Sequence, residues 1–152
     1  MYNRIFNYLN NNNILTDKQY GFRERRNTSM ALLRMINDVT QELDNTNFFI
    51  GLFLDLSKVF DTVNHSLQLK KIYHYGIRGT PHHWFTDYLS NRKQYASVDN
   101  IVSDMTLVKC GVPHESILGP LLLILFNNDI INASKLANFI LFADDTNIFL
   151  KT

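Results

Sequence analysis

The spacing of apolar and polar residues predicts alternating helices and strands in the first half of the chain. Apolar residues recur at helical spacing over residues 28–43, which indicates an amphipathic helix. Residues 48–54 form a continuous apolar run interrupted only by Gly51, a pattern typical of a central strand that is buried on both faces. A second helix is predicted over residues 66–75, because Gly76 directly after them is suited to a helix C-terminus.

Prolines mark the first turns of two further predicted helices. Pro81 opens one of them, because proline is tolerated where the backbone N–H has no partner within the helix. Its inner side carries Trp84, Phe85, Tyr88 and Leu89. The other helix follows Pro113 and extends to about Asn128, which requires Pro120 to lie in its first turn. Near the start of the chain, the Asn-rich residues 10–13 are expected to cap an element or to fray.

Two hairpins complete the predicted elements, and the sequence shows no repeat or linker that would divide the chain. Residues 94–108 are expected to form a hairpin whose arms are joined around Asp99 and Asn100. Residues 139–143 and 147–150 predict two short strands in a second, tight hairpin. The residues between these strands are Asp144, Asp145 and Thr146, so two acids are expected at the tip.

Two of the predicted strand regions end in carboxylates, Asp55 on one and Asp144 with Asp145 on the other. If these strands are neighbours, three like charges converge and repel one another unless a cation lies between them. Mg²⁺ prefers such oxygen ligands, and two ions about 3.5–4 Å apart can activate a hydroxyl and stabilise a leaving pyrophosphate oxygen. An Asp at a strand end is also an ordinary turn-forming residue, and spacing alone leaves both interpretations open.

Length and composition indicate one globular domain. The chain has 152 residues, of which 45% are hydrophobic and 19% charged, so it can bury one core. Its 15 Lys and Arg against 14 Asp and Glu leave a net charge of +1, so any contact with nucleic acid has to be local. The single cysteine, Cys110, excludes an internal disulfide and fits a reducing compartment, and we expect it to be a small buried residue.

The sequence lacks targeting, membrane and several phosphate-binding signals. Met1 is not followed by a basic and then apolar leader. The most apolar run, residues 117–126, is far shorter than the roughly 20 residues that span a bilayer. We therefore expect an intracellular protein, in the nucleus or the cytoplasm, without a membrane partner. No glycine-rich phosphate-binding loop is present, and the five histidines show no zinc-type spacing with Cys110.

Four segments, in order, resemble the motifs of a reverse transcriptase domain from non-LTR retrotransposons of the LINE-type, jockey-like class. The first resembles the fingers motif and the others resemble motifs A, B and C. They are residues 19–23 (QYGFR), 53–63 (FLDLSKVFDTV), 111–121 (GVPHESILGPL) and 142–146 (FADDT). The resemblance extends from about Gln19 to the end of the chain. It favours the metal-binding interpretation of the three acids.

The resemblance implies RNA-templated DNA synthesis, in which deoxynucleoside triphosphates extend a DNA primer on an RNA template. It implies two Mg²⁺ or Mn²⁺ ions, with Asp55, Asp144 and Asp145 as catalytic residues and metal ligands. Phe60 would lie under the sugar and exclude a 2′-hydroxyl, the alternative being a Phe of the core. Arg23 would lie near the incoming triphosphate or the template. The other residues expected at the nucleotide site are Lys58, Val59, Gly111 and Pro113.

The resemblance also implies an α+β fold, the fingers–palm part of a right-hand polymerase with a mainly antiparallel palm sheet packed on helices. The chain would be a single partial domain, with residues 1–47 fingers-like and 48–152 forming the palm with interleaved fingers segments. It ends shortly after Asp145. The thumb, the endonuclease and the rest of the retrotransposon polyprotein are therefore expected to be missing.

Three residues depart from the family's pattern. His114 and Glu115 replace Gln and Gly in motif B, and Glu115 adds bulk and a negative charge beside a triphosphate. Val59 replaces an Ala in motif A and crowds the nucleotide pocket. We therefore expect little or no polymerase activity from this chain. The alternatives are a non-catalytic remnant that binds nucleic acid or protein and a different two-metal phosphotransferase, which motif B argues against.

Overall fold

The computed structural model describes residues 1–45, 48–56, 58–113 and 116–151. The predictions for Ser57, His114 and Glu115 therefore lie outside the described residues. The helices are α1 (Tyr2–Asn11), α2 (Thr28–Asp44), α3 (Val59–Thr62), α4 (His65–His74), α5 (Thr80–Leu89) and α6 (Gly119–Asn127), followed by a 3₁₀ helix (Ile130–Ala133). The strands are β1 (Phe49–Asp55), β2 (Lys93–Gln94), β3 (Ser97–Val98), β4 (Ile101–Val102), β5 (Thr106–Leu107), β6 (Ala137–Phe142) and β7 (Asp145–Lys151). Helices combined with antiparallel sheets confirm the α+β class.

A three-stranded antiparallel sheet in the order β1–β7–β6 is the frame of the fold. The β6–β7 hairpin places β7 in the middle, where it pairs with β1 along its whole length. The prediction of a central, doubly buried strand over residues 48–54 is wrong. Within the described part of the chain β1 is an edge strand, and Leu52 and Phe53 are exposed. An apolar run shows that a strand is suited to burial, but the neighbouring elements decide whether it is covered.

The predicted amphipathic helix forms as α2, but most of its apolar side chains are exposed. Asn27 caps its N-terminus, since the Oδ1 atom accepts a hydrogen bond from the backbone N–H of Met30 at 2.9 Å. The helix packs across β6 and β1 with Asp38 and Glu42 buried. The exposed apolar residues of α2 are Met30, Leu32, Leu33, Ile36 and Leu43. Periodicity therefore predicts the helix correctly but not which surface covers its apolar side.

The hydrophobic core lies among α1 and α3–α6, with α6 at its centre. Five consecutive residues of α6 are each at most 1% exposed: Leu121, Leu122, Leu123, Ile124 and Leu125. Burial of one such side chain contributes roughly 1.5–3 kcal/mol. Pro120 lies in the first turn of α6, and Phe85 and Leu89 of α5 are fully buried, which confirms both predictions. The helices that the structure describes include none long and apolar enough to cross a membrane.

Helix α1 is not predicted by the sequence, although an asparagine caps it as expected. Ile5, Phe6 and Leu9 are buried against the core. Beyond the last turn, the Asn12 Nδ2 atom donates a hydrogen bond to the backbone oxygen of Tyr8 at 2.8 Å. Asparagine has a weak helix propensity, so the Asn-rich composition of this segment does not indicate a helix even though its apolar residues have helical spacing.

The hairpin predicted over residues 94–108 is confirmed and consists of two short ladders, β2–β5 and β3–β4. Asp99 and Asn100 form its turn with φ values of 48° and 65°, as a type I′ turn requires. Cys110 follows the hairpin and is exposed, so the expectation of a buried cysteine is wrong. The segment runs along the surface, where Cys110 pairs with Asn64 through an isolated β-bridge.

Candidate active site

The register of β1 and β7 brings the three predicted catalytic acids to one end of the sheet. Asp55, the last residue of β1, lies directly opposite Asp145, the first residue of β7. Directly opposite residues of an antiparallel pair have Cα atoms about 4.5–5.5 Å apart and side chains on the same face. Asp144 precedes Asp145 in the turn of the β6–β7 hairpin. The strands of motifs A and C are therefore neighbours, as the metal-binding interpretation requires.

The β6–β7 turn is tighter than the sequence predicts. Phe142 pairs with Asp145, so the turn consists of Ala143 and Asp144 alone. Asp145 and Thr146 belong to β7, and the expectation that both acids lie at the tip is wrong. Ala143 has a φ of 57°, in the left-handed region that glycine adopts freely. For a residue with a Cβ atom this conformation costs roughly 1–2 kcal/mol, so the surrounding contacts have to hold it in place.

A groove of about 480 Å³ runs between α2 and the sheet face that carries Asp55 and Asp145. The strands line it with alternating residues that include Phe53, Ile140 and Asn147. On the opposite wall, α2 contributes Ala31, Leu32 and Met35. The groove is therefore mainly apolar, and it becomes acidic where β1 ends and β7 begins.

The acids supply the donor chemistry of a divalent-ion site, although they do not form a closed chelate. Carboxylate oxygens are the ligands that Mg²⁺ prefers in proteins. Asp55 and Asp145 are both exposed, so their side chains have room to rotate towards a shared ion. Among the residues that the structure describes, no three His, Cys, Asp or Glu side chains are grouped closely enough to hold a metal ion. The donor set fits a divalent ion, and the three side chains would have to close around it.

The segment that resembles the fingers motif holds the motif C hairpin through backbone and side-chain hydrogen bonds. The backbone N–H of Tyr20 donates to the Leu141 oxygen at 2.8 Å, and the Leu141 N–H donates to the Lys18 oxygen at 2.9 Å. Between these bonds the Gln19 side chain, 1% exposed, accepts a bond from the backbone N–H of Ala143 at 3.1 Å. The sequence identifies this segment only as a motif. The contact was not predictable, because residues 19 and 143 are far apart along the chain.

Motifs A and B are joined by the backbone of the segment that begins at Gly111. The Gly111 N–H donates to the Val63 oxygen at 2.8 Å, and the Val112 N–H donates to the Phe60 oxygen at 2.6 Å. Phe60 and Val59 belong to the hydrophobic core, with 6% and 8% of their surface exposed. Only a small edge of either side chain is thus accessible to a nucleotide. Lys58 precedes α3 in the left-handed conformation and is exposed.

Replacement of Gly111 by Ala is expected to separate motifs A and B and to lower the free energy of unfolding by about 2–3 kcal/mol. A Cβ atom at this position would lie 2.9 Å from the backbone oxygens of Phe60 and Asp61, and its φ of 90° favours glycine. Urea denaturation measures the change. The matched control is Gly79→Ala, which shares a positive φ of 62° but has no neighbouring atom within 4 Å. Equal losses in the two variants would show that the contact is unimportant.

A second groove, of about 760 Å³, carries the motif B residues and a cluster of positive charge. Gly111 and Pro113 line this groove, whereas they do not line the one beside Asp55. Its basic residues are Arg92, Lys93 and Lys109. This cluster was not predicted from the sequence, although Lys and Arg at both ends of the predicted hairpin were a usable signal. This groove is a local concentration of positive charge in a chain whose net charge is only +1.

The Arg23 side chain forms a hydrogen bond with a nearby residue of the same segment. Its Nη1 atom donates a hydrogen bond to the backbone oxygen of Thr16 at 3.2 Å. Burial and, to a smaller extent, the charge of Arg26 lower the pKa of the Arg23 guanidinium, while Asp17 acts in the opposite direction. Arg26 also bonds to a backbone oxygen, that of Asp17. Neither arginine is among the described residues that line the groove beside Asp55, so a phosphate contact of Arg23 stays a prediction.

Comparison with known proteins establishes the class of the chain. Residues 1–152 match the family described as "Reverse transcriptase (RNA-dependent DNA polymerase)". The chain belongs to the reverse transcriptase family. Members of this family generally use divalent metal ions and act with a nucleic-acid template and primer.

Individual relatives confirm the resemblance to non-LTR retrotransposons. Three such relatives come from Drosophila melanogaster. The probable RNA-directed DNA polymerase from transposon BS is 30% identical over 84% of this chain, and that from transposon X-element is 33% identical over 83%. The RNA-directed DNA polymerase from mobile element jockey is 29% identical over 88% of this chain. The matched region is 14–15% of the length of these relatives.

Proposed function

We propose that this chain carries the nucleotidyl-transfer centre of an RNA-directed DNA polymerase. It would extend a DNA primer with deoxynucleoside triphosphates on an RNA template. The main support is the pairing of Asp55 with Asp145 and the position of Asp144 in the adjoining turn. In the proposal residues 1–47 form a fingers-like part, and residues 48–152 form the palm of a right-hand polymerase with interleaved fingers segments.

In this proposal the three acids hold two Mg²⁺ or Mn²⁺ ions. When bound, the ions would supply the charge that activates the primer 3′-hydroxyl and stabilises the leaving pyrophosphate. Asp55 contributes its carboxylate from the end of β1. Asp145 contributes its carboxylate from the start of β7, and Asp144 from the β6–β7 turn. The acids are required from both strands, because one carboxylate alone cannot fix the position of two ions.

Residues around the acids would orient the nucleotide. The accessible edges of Val59 and Phe60 would contact the sugar, where a rigid ring leaves no room for a 2′-hydroxyl. The basic groove that contains Gly111 and Pro113 would bind phosphates of the nucleotide or template, since Arg92, Lys93 and Lys109 are not matched by an equal number of acids there. Arg23 and Lys58 are assigned to the same nucleotide on the family pattern.

Primer extension on an RNA template tests the function. The unmodified chain is expected to incorporate little deoxynucleotide, because Glu115 places a carboxylate where the family has glycine and repels the triphosphate. Glu115→Gly is expected to raise incorporation at least tenfold, measured with labelled deoxynucleotides and Mg²⁺ or Mn²⁺ (roughly 1.4 kcal/mol of transition-state stabilisation). The control combines Glu115→Gly with Asp144→Asn and should remove the gain.

A binding module without catalysis is the second candidate, which the basic groove favours. In that case Glu115→Gly would leave both nucleotide binding and incorporation unchanged, and the chain would still retain nucleic acid through the basic groove. Substitution of Arg92 and Lys93 by Gln would then weaken nucleic-acid binding at low salt. Strong Asp144-dependent incorporation by the unmodified chain would instead contradict the expectation of low activity.

A further inference from the structure

The side-chain oxygen of Gln19 accepts hydrogen bonds from two backbone groups of the protein. Gln19 is 1% exposed, and its Oε1 atom accepts hydrogen bonds from the backbone N–H groups of Gly21, at 2.8 Å, and of Ala143, at 3.1 Å. A carbonyl oxygen has two lone pairs, so both acceptor positions are filled. Loss of this oxygen would leave two buried N–H groups without their partner.

The second of these N–H groups belongs to the residue that determines the shape of the motif C turn. Ala143 is the first residue of the two-residue turn and has a φ of 57°, whereas Asp144 is not among the residues with positive φ. A hairpin turn with positive φ at its first position normally has glycine there. An alanine keeps this conformation only when its surroundings hold it, and the hydrogen bond that the Ala143 N–H donates to the Gln19 side chain restrains its backbone.

We propose that Gln19 is a positioning residue for the metal site. By fixing the backbone of Ala143 it sets the direction of the following Asp144 and keeps Asp145 in register opposite Asp55. Gln19 itself touches neither ion nor nucleotide. The inference rests on the proposed function, since it assumes that these acids bind divalent ions.

The test compares Mn²⁺ affinity in two variants that lose a buried glutamine. Gln19→Met keeps the length of the side chain but removes the acceptor, and is expected to weaken Mn²⁺ binding about tenfold, as changes around ligands commonly do. The exchange of the Ala143 amide hydrogen should also become faster in the metal-free protein. The matched control is Gln68→Met, because Gln68 is 0% exposed and donates to the Leu122 oxygen in α6 at 3.0 Å. It should lower stability and leave Mn²⁺ affinity unchanged.

A rescue variant separates positioning from a general structural role. Ala143→Gly in the Gln19→Met background is expected to recover most of the Mn²⁺ affinity, because glycine adopts the required φ without support. If Gln19→Met does not fold, Gln19→Asn, whose shorter amide cannot reach both N–H groups, replaces it in the same comparison. Electron paramagnetic resonance of free Mn²⁺ measures the affinity in each variant.

The outcomes distinguish this inference from the proposed function. If the unmodified chain binds Mn²⁺ and Asp144→Asn does not, the metal site is supported. Unchanged Mn²⁺ affinity in the Gln19 variant, or a loss that Ala143→Gly does not recover, would then overturn the positioning role alone. If the unmodified chain binds no Mn²⁺, the proposed function and this inference both fail.

Discussion

Asp55→Asn is expected to weaken Mn²⁺ binding on the order of 100-fold, the upper end of what changes around metal ligands cost. Asp55 is the acid that β1 contributes, and it faces Asp145 across the strand pair. An amide keeps the size of the side chain but removes the negative charge that a divalent ion requires. Titration of Mn²⁺ against the chain, followed by the spectrum of the free ion, measures the loss.

The same substitution is expected to raise the stability of the metal-free protein. Like charges directly opposite each other in a sheet are unfavourable, and relief of the Asp55–Asp145 pair should add about 0.2–1 kcal/mol to the free energy of unfolding. Asp87→Asn, at an exposed position in α5, is the control and should change neither quantity. A fall in stability together with the loss of Mn²⁺ binding would indicate damage to the sheet, and unchanged Mn²⁺ binding would contradict the role of Asp55.

The position of Asp55 and the motif C acids at strand ends was predictable because each acid directly follows or precedes an apolar run, whereas the pairing of the two strands was only a condition of the metal-binding interpretation. Antiparallel neighbours then bring the end of one strand to the start of the other. The exact turn was not predictable, since the separation of Asp144 from Asp145 depends on the register of β6 and β7. The hydrogen bond between this turn and Gln19 was not predictable either, because residues 19 and 143 are far apart along the chain and the local sequence around them does not indicate a contact.

Helix ends and turns were predictable, because they depend on the residues at that point of the chain. Burial was not predictable where it depends on which other elements pack against a surface. Proline, glycine and asparagine determine helix ends and turns, and the predictions at Gly76, Pro120 and Asp99 are confirmed. Burial of β1 and of the apolar side of α2 was predicted wrongly, because an apolar run indicates only that a surface is suited to burial. Leu32 of α2 and Phe53 of β1 are exposed and line the groove beside Asp55, so part of this uncovered apolar surface borders the acids.

Gly21→Ala is expected to force residues 19–23 and the motif C turn apart. A Cβ atom at residue 21 would lie 2.2 Å from the backbone nitrogen of Ala143 and 2.9 Å from its Cα atom. Both contacts are with backbone, so no side-chain rotation can relieve them. Separation of the two segments would also break the hydrogen bond that the Ala143 N–H donates to the Gln19 side chain. We expect the free energy of unfolding to fall by about 3 kcal/mol, the upper end for an overpacked site.

Urea denaturation measures the stability of each variant, and Mn²⁺ titration measures its metal affinity. Both are needed, because the contact between Gly21 and Ala143 is expected to affect the fold and the metal site together. Gly51→Ala in β1 is the control, since the three atoms nearest to its Cβ would be ring atoms of Phe53 and Phe149, at 3.2–3.4 Å, and not backbone atoms. Gly51→Ala should cost less than 1 kcal/mol, roughly the scale of a small packing change, and should leave Mn²⁺ affinity unchanged. Gly21→Ala should lose both stability and affinity, since the hydrogen bond from the Ala143 N–H to Gln19 depends on this close approach. Equal stability of the two variants would show that the fingers motif and the motif C turn are not packed as described.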